Sequence, residues 1–152
     1  MSEPRGRDRG QSTAIDYVLT LGIAAVLIAA LVATGGAFVS DQREISARGE
    51  LRVIGQQIAS DLATADRLVR SAGAADQVRL QRGVPRRVAG STYVIELSSG
   101  SPATLNLSAD GGDVTVGITL TIQTSVTDSE AGGGTVVIAF DTAANALEVR
   151  ND

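Results

Sequence analysis

The residues from Tyr17 to Ser40, YVLTLGIAAVLIAALVATGGAFVS, constrain this chain more than any others: 24 consecutive positions carry no charge, and Asp16 and Asp41 bracket them. A helix rises about 1.5 Å per residue, so the run is about 36 Å long, enough to cross a hydrocarbon core of about 30 Å. A core helix of a soluble domain rarely runs so far without a charge. The stretch therefore reads as a membrane span. It leaves a short head before it and a longer polar part after it.

Composition limits the chemistry of that polar part. Of 152 residues none is Cys, His or Trp, which removes disulfides, thiolate metal sites, the usual general base and the commonest transition-metal ligand. No nucleophile–base constellation is visible, so the chain is expected not to be an enzyme and to need no cofactor or metal. With few aromatics and a net charge of −4, nucleic acid is not an expected partner. All 13 basic residues are Arg, and acids outnumber them. A Lys-free, Asp-rich chain resembles proteins of extremely halophilic archaea, where salt shortens the Debye length to about 3 Å at 1 M and dense surface acid costs little. A GC-rich genome, which favours Arg codons, is the other reading. Charge is also segregated. Gln42 to Gly90 holds nine Arg against five acids, whereas Ser91 to Asp152 holds one Arg against eight. That asymmetry fits either packing between copies, basic stalk on acidic head, or the helix packing on its own sheet.

Residues 1–10, MSEPRGRDRG, are polar and broken by Pro4, Gly6 and Gly10, so no regular structure is expected. At Arg9-Gly10-Gln11 a basic residue and a glycine precede a polar residue and then the apolar helix. This resembles the class III signal peptide of archaeal type IV pilin-like proteins and archaellins, in organisation over residues 9–70. The resemblance implies cleavage between Gly10 and Gln11 by a membrane-embedded prepilin peptidase, with the apolar helix kept on the mature subunit. It also implies the head inside the cell and the C-terminal part outside. Charge alone decides nothing, because Arg5, Arg7 and Arg9 are matched by Arg43, Arg48 and Arg52 across the span. Many pilins carry an acid at the fifth mature position. Here that position is Ile15 and Asp16 follows, which leaves a minor or pseudopilin-like subunit open. A carboxylate at Asp16 either meets the mature N-terminal amine of a neighbouring subunit or is solvated by headgroups.

Within the span Ala25, Ala29, Ala33 and Ala37 recur every four residues. In lipid, where helices have no hydrophobic drive to associate, such a ridge of small side chains lets backbones approach. Gly35-Gly36 weakens the helix by about 1 kcal/mol per glycine, so a bend or melted turn is expected there. Beyond it, Leu51, Ile54, Ile58, Leu62, Ala65 and Val69 fall at spacings of three and four and mark one helical stripe. Asp66 and Arg70 make an acid–base pair one turn apart. One helix is thus expected from about Ser12 to Ser71.

The period then changes to two. Strands are expected at Val78–Leu80, Thr92–Leu97, Thr104–Leu107, Val114–Gln123, Thr135–Phe140 and Ala146–Arg150. Turn-forming stretches separate them at 98–102, 110–113, 127–134 and 141–145. The fold class is therefore α+β, a long N-terminal helix on a small antiparallel sheet or sandwich, with the lollipop outline of a pilin. Its parts are a leader (1–10), a transmembrane and assembly half-helix (11–40), an amphipathic half-helix (41–72) and an external β domain (73–152). Asn106-Leu107-Ser108 is a sequon and a candidate glycosylation site. Asp110, Asp113, Asp128 and Glu130 lack EF-hand spacing and read as solvated loop acids. Arg82, Arg86 and Arg87 form a basic cluster around Pro85. The partners expected are the membrane, a prepilin peptidase, and other copies or related pilin-like subunits. The function expected is that of a filament subunit. A monomeric, membrane-tethered external domain that binds a partner is the alternative.

Overall fold

The computed structural model describes residues 8–72 and 78–152, with the side chains of 8–14, 37, 72 and 110 set aside. Helix α1 runs from Asp8 to Ala72. It starts earlier than Ser12, so positions 8–10 are helical rather than irregular. Extending an existing helix adds one hydrogen bond per residue fixed, and an acidic residue at position 8 suits the positive helix end. It also passes through Gly35 and Gly36 with no break in its helical assignment, so the expected melted turn is absent. The penalty of two glycines is spread over a helix whose other residues favour it.

The chain divides into two compact units, residues 1–42 and 43–152. The second holds the remainder of α1 and seven strands: β1 (Arg79–Val84), β2 (Tyr93–Ser98), β3 (Thr104–Ala109), β4 (Val114–Thr119), β5 (Ser129–Gly132), β6 (Gly134–Asp141) and β7 (Ala146–Asn151). They form two antiparallel sheets, ordered β1-β6-β7 and β4-β3-β2-β5. This is an α+β fold, as the change of period implies.

Two expectations for the strands are corrected. The stretch expected to be a strand to Gln123 ends at Thr119, after which residues 120–127 leave the sheet. Thr127–Gly134, expected as a loop, contains β5, which pairs with β2 from Leu97↔Ser129 to Val94↔Gly132. Its sequence, SEAG, has no strand signature. Neighbours hold it there: Ser129 Oγ accepts the Val149 N–H at 3.0 Å, and Asn151 Oδ1 accepts the Gly132 N–H at 2.8 Å. The same Asn151 donates its Nδ2 to the carbonyls of Gly132 and Thr135, which joins the edges of the two sheets.

One core lies beneath α1. Leu51, Ile54, Ile58, Leu62 and Ala65 are buried together with Ile95, Leu97, Leu105 and Leu107 of one sheet and Val136, Ile138, Leu147 and Val149 of the other. The stripe read from the sequence is thus the buried face of the helix, with Val69 half-buried at its end. Gly55 lies where the helix crosses β3 and β4. A Cβ there would come within 2.6 Å of Ile118 Cδ1 and 2.8 Å of Leu107 Cδ1. At Gly133 the neighbour is backbone, for a Cβ would come within 2.5 Å of the Pro85 carbonyl oxygen. That contact presses the β5–β6 turn onto the β1–β2 connection.

Candidate functional site

The apolar half of α1 is the strongest functional feature. Its mean hydropathy reaches 2.4 over 18 residues, and none of that window is buried within the chain. Ile15, Leu19, Ile23, Val26, Leu27, Leu31 and Phe38 are all exposed. A run of exposed large apolar side chains is unfavourable in water, and it is compatible with a membrane span or a signal sequence.

Hydroxyls inside the run are neutralised locally. Thr20 Oγ1 donates to the Asp16 carbonyl at 2.8 Å, Thr34 Oγ1 to Ala30 at 2.8 Å, and Ser40 Oγ to Gly36 at 3.3 Å. Each bond hides a polar group that would otherwise be unpaired in hydrocarbon. Ala25, Ala29 and Ala33 are exposed, and the side chain of Ala37 lies outside the described residues. Gly22 and Gly36 extend the stripe at spacings of three, and nothing lies within 4 Å of a Cβ built on either. The sequence reading missed these two, though the spacing alone marks them. Asp16 is exposed at the head of the run. Gly10 and Gln11 fall within the helical backbone, and residues 1–7 of the leader lie outside the described residues.

Among the described residues of the second unit, Asp66 is the one charged side chain that is buried, 5% exposed. Its Oδ1 accepts from the Gln123 N–H (3.1 Å), the Thr124 N–H (2.8 Å) and Thr124 Oγ1 (2.7 Å). Arg70, the expected partner, stands at the 4.0 Å limit. Burial alone pushes the carboxyl up, but the Thr124 and Gln123 hydrogen bonds, with Arg70, outweigh it and hold Asp66 below its ordinary value. Arg82 makes two bonds of 2.6 Å to the Asp61 carboxylate, through Nε and Nη2, so it ties β1 to α1 rather than joining a basic patch. Arg86 and Arg87 are exposed.

A cleft of about 740 Å³ opens between Ser99–Ala103 and Thr119–Val126. Its lining contains hydroxyls, an amide and apolar groups, with no titratable side chain. Among the described residues no three His, Cys, Asp or Glu side chains gather to hold a metal. Asp128 accepts the Ser99 N–H, and that bond, with the Ser99 hydroxyl, holds its carboxyl below its ordinary value. Glu130, expected in a loop, is a residue of β5. Asn106 lies midway along β3, an inner strand, half-buried and directly opposite Gly117 of β4.

Fold and surface together define an α+β protein with one helix, near its N-terminus, long and apolar enough to cross a membrane. The chain belongs to a family of unknown function, DUF7266, whose model matches residues 6–151. No curated protein matches the chain, and no solved structure does.

Proposed function

We propose that the chain is a structural subunit, major or minor, of a type IV pilus-like archaeal surface filament, anchored in the membrane before assembly. One observation carries the reading. No described residue of a 24-residue uncharged helix segment is buried within the chain, and the same helix continues into the stripe that is buried in the core of residues 43–152. A disposable export signal has no need to share a helix with the folded domain. The ridge of small residues supports close helix packing, first in the bilayer and then between subunits. The Arg9-Gly10-Gln11 sequence, which resembles a prepilin cleavage site, supports removal of residues 1–10 on the cytoplasmic side. Residues 43–152 would then lie outside.

Mass spectrometry of the protein from its native membrane is the test. A mature chain beginning at Gln11 is expected, and recovery of residues 1–10 on the mature chain sinks the proposal. The second reading, a membrane-tethered external domain that binds a partner and does not polymerise, draws on the core of residues 43–152, where no buried side-chain polar atom among the described residues lacks a partner.

A further inference from the structure

The outer face of the β4-β3-β2-β5 sheet carries an arrangement that sheets ordinarily avoid. Glu96 of β2 lies directly opposite Glu130 of β5, both exposed, and no described cation comes within 4 Å of either. Like charges facing one another across strands are destabilising. A local rule broken without compensation inside the chain is a mark of function. The row continues through Asn106 to Gly117, and Val94, exposed on the same face, adds an apolar contact.

The complementary surface is on the same chain. Arg48, Arg52, Ala59, Ala63 and Arg70 succeed one another along α1 at spacings of four and seven, with Arg67 one turn beyond Ala63. Arg52 has no acidic partner within 4 Å among the described residues, and Arg48 has only the exposed Glu44, a pair that contributes little. Arg48 and Arg52 are one helical turn apart, roughly 5–6 Å between Cβ atoms. Glu96 and Glu130 are separated by about 5 Å across their strands. Two guanidinium groups thus match two carboxylates in charge and in spacing.

We propose that the Glu96–Glu130 face docks onto the Arg48–Arg52 flank of a second copy of this chain. The occupant is a second copy because each chain supplies both halves of the match. Acids dominate after Ser91 and arginines before Gly90. The two patches differ, so the contact is heterologous and repeats from copy to copy instead of closing into a dimer. This rests on the assembly reading above and deepens it.

The chain has no cysteine, so engineered pairs are unambiguous. Full-length protein carrying Glu96→Cys with Arg52→Cys, oxidised in membranes with copper phenanthroline, should give a ladder of dimers and higher species on a non-reducing gel. Either single variant should give none. Glu96→Arg with Glu130→Arg should disrupt the contact, and co-expression with Arg48→Glu/Arg52→Glu chains should restore it. No ladder from the double variant, or a dimer from Glu96→Cys alone, overturns the proposal, as does an intact mass showing a glycan on Asn106 in this face. Filaments sheared from the cell surface report assembly separately. Filaments without the 96–52 ladder overturn the docking and leave the assembly reading standing. A 96–52 ladder without filaments supports the docking and overturns the filament reading. Absence of both overturns both.

Discussion

Asp66 and Thr124 lie 58 residues apart in sequence and meet twice, at 2.8 Å through the Thr124 backbone N–H and at 2.7 Å through its hydroxyl. A helix carboxylate thereby takes the place of a strand partner for the segment that leaves β4. Replacing it by alanine orphans two backbone N–H groups and a hydroxyl. Asp66→Ala should destabilise the full chain in micelles by about 3 kcal/mol, read from the urea midpoint. The carboxyl is depressed below 3.8, so its contribution is present above that pH and fades as pH falls through the folded value. The gap between wild type and Asp66→Ala should therefore be constant from pH 7 to about pH 4 and shrink below it. A gap that stays constant down to pH 2 would show that the charge contributes nothing.

Gly49 and Gly55 sit on the same helix and should respond to alanine with opposite signs. Nothing lies within 4 Å of a Cβ at Gly49, so Gly49→Ala gains helix propensity alone, about 0.5–1 kcal/mol. At Gly55 the same gain meets Ile118 and Leu107 side-chain ends inside 3 Å. Overpacking costs about 1–3 kcal/mol, so Gly55→Ala should be neutral to destabilising and Gly55→Leu clearly destabilising. Thermal midpoints of the three variants decide it; equal stabilisation at both positions would mean the helix does not press on the sheet at Gly55.

Tyr93 should set an alkaline limit. Burial pushes its phenol from 10.0 up to about 12, and its hydroxyl donates to the Pro85 carbonyl at 2.7 Å. A raised pKa means stability that is full below pH 10 and is lost as pH rises from there through 12. Tyr93→Phe should be about 1 kcal/mol less stable than wild type at pH 7. That deficit should narrow above pH 10. Parallel curves up to pH 12 would place the phenol in water instead.

What was legible in the chain follows from how far each signal acts along it. The stripe from Leu51 to Ala65 was readable because helix burial repeats every three to four residues, and every one of those positions is buried. Strands such as β3 and β6 showed as alternating or β-branched runs. Strand β5 did not, because four residues held by Asn151 and Ser129 carry no period of their own. The capture of Gln123 and Thr124 by Asp66 was equally silent. Sequence offers Arg70 as the partner one turn away, while the stronger partners arrive from the segment that follows β4, 57 and 58 residues on. The Ala25–Ala33 ridge was visible in the spacing, and its three alanines are exposed.

That ridge gives the sharpest test of assembly. Leucine at Ala29 and Ala33 fills the stripe between Gly22 and Gly36 and holds a facing backbone away. The same change favours insertion, since leucine at mid-span contributes about −0.3 to −0.6 kcal/mol per residue. Anchoring and packing are thus moved in opposite directions by one variant. Ala29→Leu/Ala33→Leu should remain in the membrane fraction at wild-type abundance yet fail to appear among filaments sheared from the cell surface. Filaments at wild-type yield from this variant would remove the ridge as a packing surface, and loss of the protein from the membrane would contradict the transfer energetics.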